Sequence, residues 1–238
     1  MPSKRILILA NSIRLECHCV AGREIVYRGR QYSLGRWIRP VSNHGKGELS
    51  DEEIALDVGT PAKVMNFVEI PLGKNVGDPV QSENWRIADG QKWKDCTDEH
   101  CKPAIDSLVE NPAAIWLDRR QQRSDRIPHS RFLQRAPRQS LYVIRPEQLH
   151  FEAYSEESKH DGRNRRRTRA VFRYNDVDYD LPMTDPVAAD KYFQNVPPPG
   201  KPPMKIVPIS AAGCLLVVSL TPEYHGYHYK IVASVIEG

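Results

Sequence analysis

The chain has no apolar run close to the ~20 residues that a helix needs to cross a bilayer. A short apolar run near its start, ILILA, is followed at once by Asn11 and Ser12, and no small-residue cleavage site comes after it, so we do not expect a secretory signal. Cysteine is scarce and odd in number, at five, which favours free thiols over a disulfide framework. These absences predict a cytoplasmic protein with no membrane partner.

Motifs of catalysis and metal binding are also missing. The sequence holds no GxSxG elbow, no phosphate-cradling glycine loop and no HExxH motif. The places where cysteine and histidine lie together lack the CxxC spacing of a zinc knuckle. They are Cys17-His18-Cys19 and Cys96 with His100 and Cys101. We therefore predict no catalytic residue, no metal and no cofactor, and we expect the cysteines to be buried thiols.

Charge is present in both signs but is unevenly distributed along the 238 residues, whose formal net charge is +4. Residues 1–50 carry nine Lys and Arg against three Asp and Glu, residues 51–100 carry five against eleven, and residues 101–150 carry nine against five. This alternation permits a basic face on a nearly neutral protein, which is typical of proteins that bind nucleic acid.

Short strand patterns dominate the chain. Segments such as KRILILAN, AKVMNFVEIPL, RAVFRY, VDYDLPM, AGCLLVVSL and YKIVASVI are rich in β-branched or alternating apolar residues. The predicted fold class is mainly β with a few short helices, arranged as two small OB-like β-barrels. We expect an N-terminal barrel over residues 1–117, a basic connection over 118–139 and a C-terminal barrel over 140–238.

Local motifs refine this prediction at three places. Ser50 and Glu53 form a capping box, which predicts a short helix that ends before Gly59. DPVAADKYF predicts a second short helix. Asn175-Asp176 predicts the turn of a hairpin between RAVFRY and VDYDLPM.

The densest charge run of the chain is GRNRRRTR, and its five arginines are Arg163, Arg165, Arg166, Arg167 and Arg169. Guanidinium groups suit phosphate because they donate bidentate hydrogen bonds and keep their charge. We predict a basic hairpin loop that binds nucleic acid. The alternative is a solvated loop that is neutralised in part by the preceding acidic stretch, which includes Glu156 and Glu157.

Two further clusters have weaker functional interpretations. Four arginines near the middle of the chain are diluted by Asp118 and Asp125, so we expect a solvated surface there; they are Arg119, Arg120, Arg123 and Arg126. Asp176, Asp178 and Asp180 alternate along one predicted strand and could ligate a metal, although a solvated strand face is the favoured interpretation.

The segment GRWIRPVS places two arginines around a tryptophan. In a strand, Trp37 and Arg39 share one face and Ile38 lies on the other, so Ile38 can serve the core. If Trp37 is exposed, it can stack on a base beside Arg36 and Arg39. If the faces are reversed, Trp37 is buried, and Arg39 packs its aliphatic part against the protein and extends only its charged end to solvent.

These residues carry a resemblance to a known family. KRILILANSIRLECHCVAG, GRWIRPVS and GELS near the start, with VSL and HGYHYKIVASVI at the end, resemble the dual OB-fold domain family of bacteria. The resemblance covers nearly the whole chain. The positions that match its motifs are Asn11, Ser12, Cys19, Arg36, Trp37, Arg39, His228 and Lys230. It implies two OB-type barrels, a nucleic-acid or nucleotide-binding module and an association with bacterial antiviral defence, and it brings no catalytic mechanism.

An OB barrel binds single strands on an exposed sheet face through aromatic stacking and a basic groove. We therefore expect GRWIRPVS to lead to a binding lip, with Trp37, and Tyr27 or Tyr32, stacking on bases. The main hypothesis is a non-enzymatic protein that binds single-stranded nucleic acid, DNA or RNA, with a possible protein partner in a defence system. The alternatives are a sensor for a small nucleotide or modified base, a metal-dependent nuclease, and a protein-interaction adaptor.

Overall fold

The computed structural model describes residues 3–14, 16–29, 31–97, 103–116, 124–134, 137, 139–157, 162, 164–194 and 205–238, with only the backbone at 205 and 206. Within these ranges the chain is mainly strand with short helices, which confirms the predicted fold class. The chain divides into two compact units, the first formed by Met1–Ala104 with Ala136–Leu141 and the second by Ile105–Arg135 with Tyr142–Gly238. None of the helices in the described part has the length and apolar composition that crossing a bilayer requires.

The first unit is a closed five-stranded barrel. Its strands are β1 (Ser3–Arg14), β2 (Cys17–Arg28), β3 (Gln31–Val41), β4 (Phe67–Asn75) and β5 (Asn84–Ile87), with the short β6 (Lys94–Asp95) added on β4. The order around the barrel is β1-β2-β3-β5-β4, and β4 pairs back onto β1. All of these pairs are antiparallel except β3 with β5. This five-stranded barrel agrees with the predicted OB-like architecture.

Alternation along the strands builds the barrel core. Side chains at every second position of β1 and β4 point inward, as Ile6 and Ile8 do on β1. The buried cluster consists of Ile6, Ile8, Val20, Ile38, Leu49, Ile54, Leu56, Ala62, Val68, Ile70, Leu72, Ile87 and Trp93. We call the side of the barrel wall that carries these residues the inner face and the opposite side the outer face.

The predicted capping box is formed, but the helix that it would begin is not. The Ser50 amide donates to the Glu53 carboxylate at 2.8 Å, and the Glu53 amide donates to the Ser50 hydroxyl at 3.3 Å. One helical bond follows, from the Ile54 amide to the Ser50 carbonyl at 3.2 Å. The chain then forms turns up to Gly59, because Ile54 and Leu56 are both drawn into the barrel core.

The second unit contains two four-stranded sheets. The first has the order β11-β10-β9-β12, from strands β9 (Gln148–Glu157), β10 (Asn164–Tyr174), β11 (Val177–Pro182) and β12 (Lys205–Pro208). The second has the order β7-β14-β13-β8, from strands β7 (Arg126–Pro128), β8 (Leu141–Ile144), β13 (Cys214–Leu220) and β14 (Tyr227–Glu237). Short helices α1 (His129–Gln134) and α2 (Pro186–Tyr192) and 3-10 turns at Ile105–Leu108 and Ala211–Gly213 complete the unit.

The predicted hairpin across Asn175 and Asp176 is confirmed. β10 and β11 pair antiparallel from Arg169–Pro182 to Tyr174–Val177, and both turn residues have positive φ, as a two-residue type I′ turn requires. The helix predicted for DPVAADKYF is confirmed as α2, which Asp185 caps through the amides of Val187 and Ala188. Burial raises the pKa of Asp185, although these amides and that of Val235 stabilise its carboxylate.

Part of the predicted connection, residues 118–139, has regular structure. Residues 126–134 form β7 and α1, and Ile127 and Phe132 are buried. β7 pairs with β14, and the Phe132 ring meets the His228 ring edge-on at 5.2 Å between centroids. Arg119, Arg120 and Arg123 lie outside the described residues.

The close approach of the paired strands β1 and β2 at Gly22 leads to a stability prediction. A Cβ atom added at Gly22 would lie 2.2 Å from the Leu7 carbonyl oxygen, which is backbone and cannot move alone. We expect Gly22→Ala to lower the free energy of unfolding by about 1–3 kcal/mol or more, as overpacking does. Gly213→Ala is the matched control, because its Cβ would meet nothing within 4 Å. Urea unfolding of both variants measures the difference, and equal stabilities would contradict this account.

Candidate nucleic-acid interface

The structure buries Trp37, so the expectation that this ring is displayed is wrong. Ile38 points into the barrel core as predicted, which places Trp37 on the outer face. Trp37 is nevertheless only 3% exposed, and the Arg23 guanidinium lies over its ring at 5.8 Å. Assigning the faces was therefore not enough, because an outward residue of a barrel wall can still be covered. A buried ring has no free surface on which a base could stack.

Arg39 takes part in an internal ion pair. Its side chain is 12% exposed and donates to the Ser140 hydroxyl at 2.9 Å, and it lies 3.4 Å from a carboxylate oxygen of Glu83. Ser140 in turn donates to the same Glu83 oxygen. Since Glu83 is almost fully buried, Arg39 serves to compensate that charge. The expected phosphate contact at Arg39 would have to compete with this pair.

Arg36 is the exposed member of the GRWIRPVS segment. Its side chain is 61% exposed, it lies 3.3 Å from Glu24, and its guanidinium stands 5.2 Å from the centre of the Trp85 ring. Lys4 pairs with the same Glu24 and also lies over Trp85. Arg36 thus belongs to a cluster of two cations, one carboxylate and one indole, in which it keeps enough exposure to meet a ligand.

The arginine run lies on a strand and not in a hairpin loop, which corrects the sequence prediction. Arg165, Arg166, Arg167 and Arg169 all belong to β10, and Arg163 lies outside the described residues. Arg165, Arg167 and Arg169 alternate with Ala170 and Phe172, which are buried, and so point to the solvent side of the sheet. Arg166 points to the other side, where it donates to the Phe193 carbonyl and to Asp190.

Carboxylates on the neighbouring strands balance these arginines. Arg167 donates to Glu156 at 2.7 Å, and Arg169 pairs with Asp180. Arg165 lies directly opposite Glu156 in the register of β9 and β10. Burial opposes the charge of Arg169, but its hydrogen bond to Asp180 and the negative charges of Asp180 and Asp125 together outweigh this, so the pKa of Arg169 is raised. The solvent side of β10 therefore carries a network of cross-strand ion pairs. This arrangement is close to the alternative in which the arginine run is solvated and partly neutralised by carboxylates.

The row of aspartates is paired in the same way. Asp180 accepts from Arg169, and Asp176 accepts from Arg173 at 3.0 Å. Asp178 lies opposite Arg173 in the register. Across the described ranges, no group of three or more His, Cys, Asp and Glu is arranged to hold a metal ion. The aspartates act as partners for the β10 arginines, and His100 and Cys101 lie in a part that the structure does not describe.

A row of three aromatic rings lies on the outer face of the first unit, and its exposed end is Tyr27. Tyr27 on β2 and Tyr32 on β3 face each other in the register, with ring centroids 6.3 Å apart. Tyr32 meets Phe67 of β4 edge-on at 5.8 Å. Phe67 alternates with Val68, which is in the core, so this row of rings runs along the outer face. Tyr27 is the most exposed of the three, at 54%.

One arginine lies against Tyr27. The Arg5 guanidinium of β1 lies 5.9 Å from the centre of the Tyr27 ring, and Arg5 also donates to Glu69 at 2.8 Å. The bonds to Glu69 and to Tyr27 raise the pKa of Arg5, so it stays charged. Arg28, the next residue of β2, is also exposed, and its side chain leaves the opposite side of the strand. We call Arg5, Tyr27 and Tyr32 the β2–β3 platform.

A cleft of about 540 Å³ also opens in the first unit. Its charged lining is mainly acidic, with Glu48, Glu52, Glu53 and Asp89 against Lys92. The Glu53 carboxylate is already engaged, because it accepts hydrogen bonds from Ser42 and Ser50. An acidic lining disfavours phosphate, so this cleft suits an uncharged or cationic small molecule better than a nucleotide.

The cysteines that the structure describes are free thiols, as the sequence predicted. Burial raises the pKa of the Cys214 thiol to about 12, and burial also raises the pKa of Cys19. The thiolate is the nucleophilic form of cysteine. Neither side chain is therefore suited to nucleophilic chemistry near neutral pH.

Comparison with known proteins assigns the chain to a family. A family model described as "Dual OB-containing domain" matches residues 4–235, so the chain belongs to this family, and the resemblance drawn from its motifs is confirmed. No curated protein matches the chain. A solved structure of a murine DNA-binding protein bound to double-stranded DNA matches over all of both chains, at 10% identity and a TM-score of 0.29. A likeness this weak carries no argument about function.

The ion pair at Arg39 generates a second stability prediction. Glu83→Ala leaves the Arg39 charge buried without its carboxylate, and breaking such a pair costs about 3–5 kcal/mol of unfolding free energy. Glu156→Ala removes the exposed partner of Arg167 and should cost less than about 1 kcal/mol. Thermal or urea unfolding compares the two variants. Similar losses from both would show that Arg39 and Glu83 are not coupled as the structure indicates.

Proposed function

We propose that the protein binds nucleic acid, preferably single-stranded, through the β2–β3 platform of the first unit. The observation that carries the proposal is the Tyr27 ring, which is more than half exposed and lies next to the Arg5 guanidinium. OB barrels bind oligonucleotides on the face of their second and third strands. The platform lies on those two strands of the barrel.

Stacking would supply the contact with bases. Every nucleobase has a π-face, so stacking on an exposed tyrosine tolerates any sequence and contributes about 1–3 kcal/mol per base. Tyr32 meets Tyr27 edge-on, and Phe67 in turn meets Tyr32 edge-on. Bases in a duplex are already stacked on their neighbours, which is why we favour a single-stranded ligand.

Arginine would supply the contact with phosphate. Arg28 is exposed, and the Arg5 guanidinium has more N–H donors than its bonds to Glu69 and Tyr27 use. Of the residues predicted from sequence, Arg36, Arg165 and Arg167 are exposed and stay candidates for phosphate contact. We expect Arg165 and Arg167 to contribute less, since the carboxylates around them cancel much of their field.

The wider role is also part of the proposal. We expect a binding protein without catalytic activity, located in the cytoplasm. A role as an accessory of a bacterial defence system rests on the contexts with which the family is associated.

A small-molecule sensor is the second candidate function. The cleft of about 540 Å³ in the first unit is within the ~300–1,000 Å³ range of small-ligand sites. Its acidic lining favours a modified base, especially one with positive charge, over a nucleoside phosphate. Tight, salt-insensitive binding of such a base would support this candidate over the first.

Fluorescence anisotropy with labelled single-stranded DNA, single-stranded RNA and duplex DNA tests the main proposal. We expect binding to single strands to weaken steeply with salt, because each neutralised phosphate releases counterions. Tyr27→Ala should weaken it about 5- to 100-fold, while Tyr27→Phe keeps the ring and should bind like the wild type. Arg28→Ala should reduce the salt dependence.

Val58→Ala is the control for loss of an exposed apolar side chain. Val58 is 62% exposed and lies in a turn, outside the strands that carry the β2–β3 platform. Wild-type protein that binds none of the three ligands at low salt would contradict the proposal. Binding that is unchanged in Tyr27→Ala would move the site elsewhere on the protein.

A further inference from the structure

A second row of tyrosines lies in the second unit, at the hairpin that joins β13 to β14, with Tyr224 and Tyr227 exposed and Tyr229 half-buried. Tyr227 and Tyr229 alternate with His228 and Lys230, which are buried at 2% and 0% exposure, so both tyrosines lie on the solvent side of β14. Tyr224 bridges to Tyr227 across the turn. Tyr224 is 55% exposed and Tyr227 is 40% exposed. We call Tyr224, Tyr227 and Tyr229 the tyrosine row.

The turn that carries this row is fixed by its own hydrogen bonds. The amides and carbonyls of Tyr224 and Tyr227 bond to each other at 2.8 and 3.2 Å, and His225 and Gly226 between them have positive φ. The His129 amide of α1 donates to the Gly226 carbonyl at 2.8 Å, and Glu223 accepts from the Gly226 amide. The backbone that carries the rings is therefore held in place before a ligand binds, which reduces the entropy cost of binding.

Cations lie beside the row. Arg126 of β7 is directly opposite Tyr229, its side chain is 58% exposed, and its guanidinium stands 5.4 Å from the Tyr229 ring centre. Arg131 of α1 is also exposed. Asp125 lies 3.6 Å from Arg126 but is shared with Arg169, so it does not neutralise Arg126 alone.

We propose that the tyrosine row with Arg126 is a second platform for single-stranded nucleic acid, separate from the one on the first unit. The inference rests on the proposed function and extends it to both units. Side chains two residues apart on a strand are separated by ~6.6 Å. Tyr227 and Tyr229 can therefore take two bases of an extended strand, as the sheet aromatics of other single-strand binders do, while Arg126 contacts the phosphate between them.

The chemistry of the row suits nucleic acid. The exposed groups of this turn include the phenol rings and the imidazole of His225, with guanidinium groups nearby, and the one carboxylate among them, Glu223, accepts from the Gly226 amide. Such a surface offers ring faces and hydrogen-bond donors to bases and phosphates.

Anisotropy on the full chain, with a labelled oligothymidylate of about 10 nucleotides, tests the inference; the length is within the ~4–16 nucleotides that an OB fold covers. Tyr227→Ala and Tyr224→Ala should each weaken binding about 5- to 100-fold, whereas Tyr227→Phe should bind like the wild type. Arg126→Ala should lower the dependence of binding on salt. Val187→Ala, at a 75% exposed position of α2 in the same unit, is the control and should change nothing.

Circular dichroism of each variant checks that the fold is kept. Binding of the same oligonucleotide by Tyr27→Ala is measured in parallel. If Tyr27→Ala weakens binding and the Tyr224 and Tyr227 variants do not, the inference is wrong and the proposed function stands. If the Tyr224 and Tyr227 variants weaken binding and Tyr27→Ala does not, the inference holds and the first-unit site is wrong. A wild type that does not bind the oligonucleotide overturns both, and would assign the row to a protein partner.

Discussion

Strand β1 is hydrogen-bonded along both of its edges, to β2 from Ile6 to Arg14 and to β4 from Ser3 to Leu7, and this double pairing closes the barrel of the first unit. Closure has two consequences. It removes the open edges that would otherwise invite pairing with other chains. It also gives the wall a fixed inner and outer face, so that each side chain of β1 to β3 points either into the barrel core or away from it. At Gly22 the two paired strands approach so closely that a side chain would not fit.

The exposed side chains of the two units indicate where a ligand can bind. Arginines are numerous on both units, yet most of those predicted to grip phosphate are engaged by carboxylates, as Arg39 is by Glu83 and Arg169 is by Asp180. Ion pairs of this kind hold neighbouring strands together, but their charges cancel and leave little electrostatic potential to attract phosphate. Aromatic rings beside cations are more informative: Arg5 lies against the exposed Tyr27 in the first unit, and Arg126 lies against Tyr229, near the exposed Tyr227, in the second. The binding account therefore depends on rings, with arginine as their neighbour.

Sequence patterns predicted much of the fold, because alternation and turn residues act locally. The strand faces, the turn at Asn175 and the cap of α2 all follow from neighbours in the chain. The burial of Trp37 could not be predicted in this way, since it depends on what covers the outer face. The arginine run was misassigned for the same reason: Asp180 and Asp190, which pair with it, are 11 and 24 residues away from their partners. The row of Tyr224, Tyr227 and Tyr229 was visible in the sequence only as a polar aromatic turn.

Photochemical crosslinking tests the central claim most directly, because it reports the residues that touch the ligand. The full chain would be irradiated with a single-stranded oligonucleotide that contains a photoreactive pyrimidine, and the crosslinked peptides would be mapped by mass spectrometry. The account predicts crosslinks at Tyr27 or Tyr32 of the β2–β3 platform. Crosslinks confined to the β10 strand around Arg165 and Arg167, with none on β2 or β3, would contradict it and would show that charge, not aromatic stacking, governs binding.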